Sequence, residues 1–230
     1  MPIFHLPKEL IFPSPELSED NGLLAVGGDL SEKRLLYAYA LGIFPWYTKD
    51  DPILWWSPDP RLVLKPDKLK ISRSLRQCIK KGLFRVTMDR AFYDVINNCA
   101  RVPRAREKGT WITEEMMEAY GRLFEKGFVH SVESWYEGEL AGGLYGVSLG
   151  SVFFGESMFT IKSNASKVAF VALVNQLKKW DFSLIDCQVT TSHLMSFGAE
   201  EISRLSFLNA LNKALSVPTR RGRWNFDKGS

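Results

Sequence analysis

Two polar residues interrupt a short stretch that is otherwise typical of a buried β-strand, SLIDCQ at residues 183–188. Side chains alternate between the two faces of a strand, so Asp186 and Gln188 share one face, and Ile185 and Cys187 share the other. Burying a carboxylate and an amide without hydrogen-bond partners is costly. The pattern therefore predicts a polar site on the face that carries Asp186 and Gln188.

A second carboxylate lies in FFGESMF at residues 153–159. Alternation places Glu156 on one face of this strand together with Phe154 and Met158. If the two strands are neighbours, Glu156 comes within reach of the first polar pair, which gives two carboxylates and an amide in a half-apolar cleft. The alternative is that both acids lie at strand ends in solvent or in a structural hydrogen-bond network.

The segment SNASK (163–167) follows the second strand and opens a predicted helix. The free backbone N–H groups of a helix start can hold an anion or a carbonyl oxygen. A capping role for Ser163 or Asn164 explains the same residues equally well.

Other catalytic schemes fit the sequence poorly. Cys187 faces away from Asp186 by alternation, which favours a buried, inert thiol over a nucleophile. The chain has no GxSxG elbow, no P-loop and no HExxH motif, and its three histidines are widely dispersed. Three scattered cysteines form neither a disulfide framework nor a CxxC pair, and no apolar run is long enough to span a bilayer. We expect a cytoplasmic protein.

Aromatic and basic residues suggest a nucleic-acid partner. Trp46, Trp55, Trp56 and Trp111 lie in predicted loops, where aromatic rings can stack on unpaired bases or seal a domain junction. For Trp55 and Trp56 we favour the sealing role. Residues 61–108 hold 14 Lys and Arg against four acidic residues. This basic segment suits a polyanion, because phosphates reward clustered cations through counterion release, and it is equally compatible with a solvated basic surface.

Helices and strands alternate irregularly along the chain, which predicts an α+β fold. Predicted helices cover SEKRLLYAYALG (31–42), KISRSLRQCIKKG (70–82), AFYDVINNCARV (91–102), TEEMMEAYGRLFEKG (113–127), the segment after SNASK, and SRLSFLNALNKALS (203–216). Predicted strands are FRVTMD (84–89), a three-stranded meander over 128–160, and SLIDCQ. Loops dominate the first 60 residues, GLLAVGGDL is interpreted as a turn, and PTRRGRWNFDKGS (218–230) is expected to be a flexible tail.

Taken together, the motifs resemble the bacterial leucyl/phenylalanyl-tRNA–protein transferases. The matching strings are NGLLAVGGDL, GIFPWY, DPILWWSPDPR, GTWIT, GGLYG, FFGESMF, SNASK, LIDCQ and SFGAEEI. They follow the family order across most of the chain, and several are unusual in composition, so chance agreement is unexpected.

The resemblance implies an enzyme that moves Leu or Phe, and Met less readily, from aminoacyl-tRNA to the N-terminal Arg or Lys of acceptor proteins. That extension marks the acceptor for N-degron-dependent degradation. The implied fold is a small N-terminal α+β domain (1–61) followed by a mixed-sheet domain (62–230) similar to the GNAT acyltransferases. No metal or coenzyme is implied, because the aminoacyl ester is already activated. We expect a monomer without membrane contact.

The resemblance also implies three sets of site residues. The catalytic set falls on Glu156, Asp186 and Gln188. The terminal adenosine of the tRNA would contact Trp46 and Trp111, with Tyr39 and Tyr120 nearby. The pocket for the leucyl or phenylalanyl side chain would include Leu144, Phe153, Met158, Phe170, Leu173 and Ile185.

The implied reaction is aminolysis of an ester by a neutral α-amine. The carbonyl oxygen of Gln188 would accept a hydrogen bond from the amine, and Asp186 would orient Gln188 and take charge from the ammonium. Glu156 would hold either the incoming amino terminus or its cationic side chain.

Two other functions are compatible with parts of the sequence. An acyl-CoA-dependent acetyltransferase would place a pyrophosphate at the SNASK helix start, although the R/Q-x-x-G-x-G/A loop typical of that family is missing. A non-catalytic RNA-binding module would explain the aromatic and basic residues and leave the three converging polar groups unexplained.

Overall fold

The first 60 residues form a small four-stranded sheet with one helix. The computed structural model describes residues 3–101 and 112–227. In this part β1 (Phe4–Leu6) runs parallel to β2 (Leu23–Gly27), and β4 (Leu54–Trp56) pairs antiparallel with β2 and with β3 (Phe44–Pro45). Helix α1 (Glu32–Ala40) follows β2, and a 3₁₀ turn covers Pro15–Leu17. The sequence predicted mainly loops here, because strands this short show too few residues for alternation to be recognised.

A seven-stranded mixed sheet is the centre of the second part of the described chain. Its strands are β5 (Arg61–Leu64), β6 (Arg85–Met88), β7 (Val129–Tyr136), β8 (Glu139–Leu149), β9 (Val152–Thr160), β10 (Leu184–Gln188) and β11 (Glu200–Ile202). The strand order is β11-β5-β10-β9-β8-β7-β6, and every neighbouring pair is antiparallel except β9 and β10. The α+β prediction, with a small N-terminal part before a mixed sheet, is confirmed, as is the meander β7-β8-β9.

Six helices and a second 3₁₀ turn (Pro66–Lys68) complete the part of the chain that the structure describes. The helices are α2 (Arg73–Lys80), α3 (Phe92–Arg101), α4 (Glu114–Glu125), α5 (Ala165–Lys179), α6 (Ser192–Met195) and α7 (Arg204–Leu215). Ser31, Thr113 and Ser203 cap their helices as side-chain acceptors from the backbone N–H three residues further on. Asn164 does not cap α5, because its φ is 70° and its side chain makes no cap hydrogen bond. The alternative of a cap by Asn164 is therefore wrong.

Two apolar clusters pack on the two faces of the large sheet. The first joins Phe154 and Leu184 to residues of α1, α3, α4 and α7, and it extends into the small sheet through Trp55. The second joins Phe153 and Ile185 to residues of α5 and to the C-terminal segment. We propose a domain boundary near residue 61, because β5 is the first strand of the large sheet.

The C-terminal segment packs against the second cluster, so the prediction of a flexible tail is wrong for residues up to 227. Trp224 is buried and stacks on His130 with ring centroids 3.6 Å apart. Its backbone N–H donates to Asp89 at 2.6 Å, and Arg220 lies over the ring of Trp180. The sequence PTRRGRWNF is mostly basic and small, so its two large apolar residues, Trp224 and Phe226, were not recognised as anchors of the segment. Among the residues described, no helix is long and apolar enough to cross a membrane.

Candidate active site

The candidate site lies in a gap between the two parallel strands, β9 and β10. Pairing between β9 and β10 runs from Val152 with Leu184 to Phe154 with Asp186 and then stops. β10 turns away at Gln188, whose φ of 62° lies in the left-handed region. The separation opens a cavity of about 420 Å³ that both strands line.

Glu156 is the extra residue of a β-bulge in β9. The consecutive residues Tyr145 and Gly146 of β8 pair with Ser157 and Gly155, so Glu156 has no partner on β8. No side chain fits at Gly146, since a Cβ atom there would lie 2.2 Å from the carbonyl oxygen of Phe154. The bulge therefore frees Glu156 from the ladder and lets it turn toward β10.

The bulge also changes which side chains share a face. Phe154 lies in the first apolar cluster, whereas Met158 packs against the second. The prediction that groups Met158 with Glu156 on one face is therefore wrong, because one inserted residue shifts the alternation beyond it. Glu156 does reach the polar pair on β10, as predicted, through the amide of Gln188.

Asp186 is fully buried and bound by an arginine. Arg61 donates from Nε to Oδ1 at 2.8 Å and from Nη2 to Oδ2 at 2.6 Å, a bidentate ion pair in which both side chains are nearly inaccessible. The backbone N–H of Gln188 also donates to Oδ1, at 2.9 Å. Three hydrogen bonds thus engage the two carboxylate oxygens, which can accept about four, and the side chain is inaccessible to solvent. These contacts favour a role in orienting Gln188 over one in receiving the charge of an incoming ammonium.

Gln188 is held by two hydrogen bonds, one from its backbone and one from its side chain. Its N–H bonds to Asp186, and its Nε2 donates to Oε1 of Glu156 at 3.1 Å. An amide that donates through nitrogen keeps its carbonyl oxygen for another donor. Because Gln188 lines the cavity, that oxygen is available to a ligand amine.

Glu156 and two buried tyrosines form a closed ring of oxygen contacts. The hydroxyl oxygens of Tyr39 and Tyr120 lie 2.5 Å apart. The Tyr39 hydroxyl lies 2.7 Å from Oε1 of Glu156, and the Tyr120 hydroxyl lies 3.0 Å from Oε2. Each hydrogen bond needs its own hydrogen, and the two hydroxyls supply two. The third is supplied by the carboxyl group of Glu156 when it is protonated, so the ring is fully hydrogen-bonded in that state.

The ionisation of these groups agrees with the proton count. Burial raises the pKa of Glu156 to about 7, helped by the charge of Asp186 and opposed by hydrogen bonds from the tyrosines and Gln188. Burial, followed by the nearby Glu156 charge, raises the pKa of Tyr39 and of Tyr120 well above the usual value. The tyrosines therefore stay protonated while Glu156 exchanges a proton near neutrality.

The apolar part of the same cavity has the predicted lining. All six residues implied for a side-chain pocket line it: Leu144, Phe153, Met158, Phe170, Leu173 and Ile185. Their side chains belong mostly to the second apolar cluster, whereas Glu156 and Asp186 lie toward the first. The cavity thus connects an apolar pocket on one side of the gap with polar groups on the other.

The residues implied for adenosine binding lie in different surroundings. Trp46 lines the cavity, half-buried, and packs against Trp56, whose Nε1 donates to the Trp46 carbonyl at 2.6 Å. Tyr39 and Tyr120 are buried and touch the cavity only through Glu156, which differs from a direct contact with a base. Trp111 lies outside the described residues. Trp55 is buried and bonds to the Gly27 carbonyl, a sealing role in the small sheet.

Two other candidates are less suited to chemistry. Burial raises the pKa of Cys187 and the charge of Asp186 adds to this rise, which makes the thiol a poor nucleophile. At the start of α5, the N–H of Ser166 already bonds to Oγ1 of Thr160 at 3.0 Å, which removes one of the donors expected to hold an anion. No cluster of three or more metal-binding side chains occurs within residues 3–101 and 112–227.

Sequence reasoning missed Arg61 and the aromatic residues around it. Arg61 lies between the rings of Phe44 and Phe207, with its guanidinium carbon 4.7 and 4.5 Å from their centroids. These residues come from distant parts of the chain and show no shared spacing. The arginine at the end of WWSPDPR was the available signal, because a charge that opens the buried strand RLVL requires a partner.

Comparison with known proteins gives consistent results over the whole chain. A family model described as leucyl/phenylalanyl-tRNA protein transferase matches residues 63–212, and the model of the N-terminal domain of that family matches residues 28–59. A leucyl/phenylalanyl-tRNA–protein transferase from Syntrophobacter fumaroxidans is 65% identical over 224 residues, covering 97% of this chain and 96% of that protein. One from Anaeromyxobacter sp. (strain Fw109-5) is 60% identical over 229 residues, covering 100% and 97%.

A solved structure, L-PGS from Bacillus licheniformis, covers 68% of this chain and 50% of that one, with 12% identity and a TM-score of 0.40. A likeness this weak carries no functional argument.

Proposed function

The chain belongs to the leucyl/phenylalanyl-tRNA–protein transferase family, and we infer that it is an aminoacyltransferase that moves leucyl or phenylalanyl groups from tRNA to proteins. We propose further that the acceptor is the α-amino group of an N-terminal Arg or Lys, that Met is transferred less readily, and that the product enters N-degron-dependent degradation. We also propose that the protein acts as a monomer in the cytoplasm, where charged tRNA is available.

One observation carries the proposal: an amide and a carboxyl group, hydrogen-bonded to each other, lie beside an apolar cavity. A cavity of about 420 Å³ lined by Leu, Phe, Met and Ile side chains can bury one branched or aromatic side chain. We propose that the aminoacyl group enters this pocket, with its ester carbonyl in the gap between β9 and β10. The six pocket residues named above then select the amino acid.

In the proposed reaction the acceptor amine attacks the ester carbonyl carbon, the carbon–oxygen bond to the tRNA ribose breaks, and an amide bond forms. The carbonyl oxygen of Gln188 accepts a hydrogen bond from the amine and aims its lone pair. Glu156 takes the proton that the amine loses, and that proton leaves on the ribose oxygen. The pKa of Glu156, about 7, lies close to that of a free α-amine, about 7.7 to 8.0, so the transfer costs little.

Asp186 has a positioning role in this proposal. Its carboxylate is bound by Arg61 and fixes the backbone of Gln188, so it orients the amide and does not receive the ammonium charge. For the terminal adenosine we propose a stacking contact with Trp46 and with Trp111. Tyr39 and Tyr120 would support this end of the site indirectly, by holding Glu156.

The function is tested by supplying purified protein with a peptide that begins with Arg and with either [¹⁴C]leucyl-tRNA or [¹⁴C]acetyl-CoA. We expect label on the peptide only with leucyl-tRNA, and none when the peptide is N-terminally acetylated. Transfer from acetyl-CoA would identify an acetyltransferase instead. Binding of tRNA without transfer to any peptide would identify a non-catalytic RNA-binding module.

The basic segment 61–108 predicts how tRNA affinity depends on salt. Neutralising several phosphates releases counterions, so we expect the affinity for leucyl-tRNA to fall by about 10²–10³-fold between about 50 and 200 mM salt. Changing Arg73, Arg76 and Lys80, which are exposed on α2, to Gln should flatten this dependence. The same change at the exposed Lys178 and Lys213, outside the segment, should not. A salt slope near zero in the wild type would contradict this assignment of the tRNA surface.

A further inference from the structure

Arg61 occupies an unusual position for a charged side chain. It is 1% exposed, its guanidinium lies between the rings of Phe44 and Phe207, and it binds both oxygens of the equally buried Asp186. Its remaining nitrogen, Nη1, has no hydrogen-bond partner among the residues described. Burying such a pair removes two charges from water, and apolar residues of similar volume often stabilise a fold equally well. Stability alone therefore does not explain the pair.

The pair is connected directly to the residue that we propose to orient the amine. Oδ1 of Asp186 accepts two hydrogen bonds, one from Nε of Arg61 and one from the backbone N–H of Gln188. Gln188 has a positive φ, which is unfavourable for a residue with a side chain and persists only when its surroundings fix it. A planar guanidinium bound at two points prevents the Asp186 carboxylate from rotating, and so fixes the acceptor of the Gln188 N–H.

We propose that Arg61 is a positioning residue for aminoacyl transfer, which holds Asp186 as a rigid anion and thereby sets the backbone and amide direction of Gln188. This inference rests on the function proposed above. It gives Arg61 two separable contributions. The bidentate geometry orients Gln188, and the positive charge offsets the charge of Asp186 beside Glu156.

The charge contribution acts on a defined group. Glu156 faces Tyr39 of α1, Tyr120 of α4, and Asp186 and Gln188 of β10. The charge of Asp186 is among the causes that raise the pKa of Glu156, and Arg61 is the cation bound to that charge. Without Arg61, the charge of Asp186 acts on Glu156 without its counter-charge, which raises the pKa of Glu156 further.

Two substitutions separate the contributions. Arg61→Met fits between the two aromatic rings and removes both the charge and the geometry, whereas Arg61→Lys keeps the charge and loses the bidentate contact. Arg34→Met is the matched control, because Arg34 is also 1% exposed and binds the backbone carbonyls of Pro7, Lys8 and Glu9 away from the cavity.

The measurements are kcat and KM for leucyl transfer between about pH 6 and 9, together with a ¹³C NMR titration of the Glu156 carboxyl group. For Arg61→Met we expect kcat to fall about 100-fold with little change in KM for leucyl-tRNA. Its rising pH limb and the Glu156 titration should both move up by about one pH unit. Arg61→Lys should lower kcat about tenfold and leave both titrations in place. Arg34→Met should leave them in place as well.

Wild-type kcat and an unmoved titration in Arg61→Met, or wild-type kcat in Arg61→Lys, would overturn the inference. The same shift in Arg34→Met would also overturn it, since the effect would then follow from losing any buried arginine. If Arg61→Met does not fold, the kcat of Arg61→Lys alone tests the positioning role of Arg61. Absence of transfer by the wild type would refute the proposed function instead, and the NMR titration would still test whether Arg61 controls Glu156.

Discussion

Replacing Gln188 with alanine is expected to lower kcat for leucyl transfer by about 100-fold or more, with little effect on the KM for leucyl-tRNA. The substitution removes the side-chain amide of Gln188 with one methylene group, and it leaves the backbone N–H that bonds to Asp186 in place. The carbonyl oxygen of that amide orients the attacking amine, an interaction that matters in the transition state and contributes little to tRNA binding. Single-turnover reactions with pre-charged tRNA measure this chemical step without interference from product release.

The same variant should change the pH dependence. The Gln188 amide donates to Glu156 and holds the pKa of that carboxyl group lower than burial alone would. Removing the donor therefore raises the pKa of Glu156 above about 7, and the rising limb of the kcat profile moves to higher pH.

A matched control is Gln176→Ala. Gln176 is a buried glutamine, and its amide bonds to Asp227 in the C-terminal segment away from the cavity, as the amide of Gln188 bonds to Glu156. We expect this variant to lose stability and to keep the wild-type pH profile. Wild-type kcat in Gln188→Ala would remove the amide from the mechanism.

Asp186→Asn is a less direct test of the same mechanism, although transfer should also be lost. One oxygen of the carboxylate becomes an NH₂ group that faces an arginine N–H, and Arg61 is left as a buried cation without its counter-charge. Breaking a buried ion pair on one side costs about 3 to 5 kcal/mol of stability. Loss of activity in that variant would therefore combine misplacement of Gln188 with partial unfolding, which Gln188→Ala avoids.

Sequence patterns predicted those parts of the fold that depend on interactions between residues close together in the chain, such as helix starts and strand faces. The helices predicted to begin at residues 31, 113 and 203 do begin there, because Ser31, Thr113 and Ser203 accept from the backbone N–H three residues further on, which is a local arrangement. Alternation likewise predicted a polar site at Asp186 and Gln188, whereas Glu156 reaches Gln188 through the bulge in β9. The strands of the small sheet were missed, because two to five residues show no periodicity.

Features that depend on distant contacts could not be predicted in this way. The β-bulge at Glu156 is defined only by the pairing of β9 with β8, and it moved Met158 to the other face. The partner of Asp186 lies 125 residues away in sequence, and no spacing rule connects it to LIDCQ. Trp224 was assigned to a flexible tail because its pocket is assembled from β7 and the connection between α5 and β10, which contribute His130, Trp180 and Phe182.

Glu156→Gln is expected to change stability and activity in opposite directions. The pKa of this carboxyl group is raised from 4.5 to about 7 by burial, so folding favours its protonated form. Between about pH 4.5 and 7 the folded state binds more protons than the unfolded state, and wild-type stability therefore falls as the pH rises through that range. The shift corresponds to about 3 kcal/mol by pH 8.

Glutamine resembles the protonated acid, since it offers one acceptor oxygen and one donor to the tyrosine ring. The variant has no ionisation at this position, so its free energy of unfolding should not show this decline. We expect wild type and variant to have similar stability near pH 4, and the variant to be more stable by about 3 kcal/mol at pH 8. Urea denaturation at a series of pH values measures the difference directly.

The same substitution removes the group that we propose to take the proton from the attacking amine. General base catalysis typically contributes about 10²–10⁴-fold, so kcat should fall by a factor in that range. The rise of kcat/KM through about pH 7 should disappear, which leaves only the titration of the acceptor amine at about 7.7 to 8.0. A variant that is more stable at pH 8 and retains wild-type turnover would show that Glu156 is a buried structural acid. A variant equally stable at every pH would show that the carboxyl group is ionised without cost in the fold, and the proton count in the tyrosine ring would then be wrong.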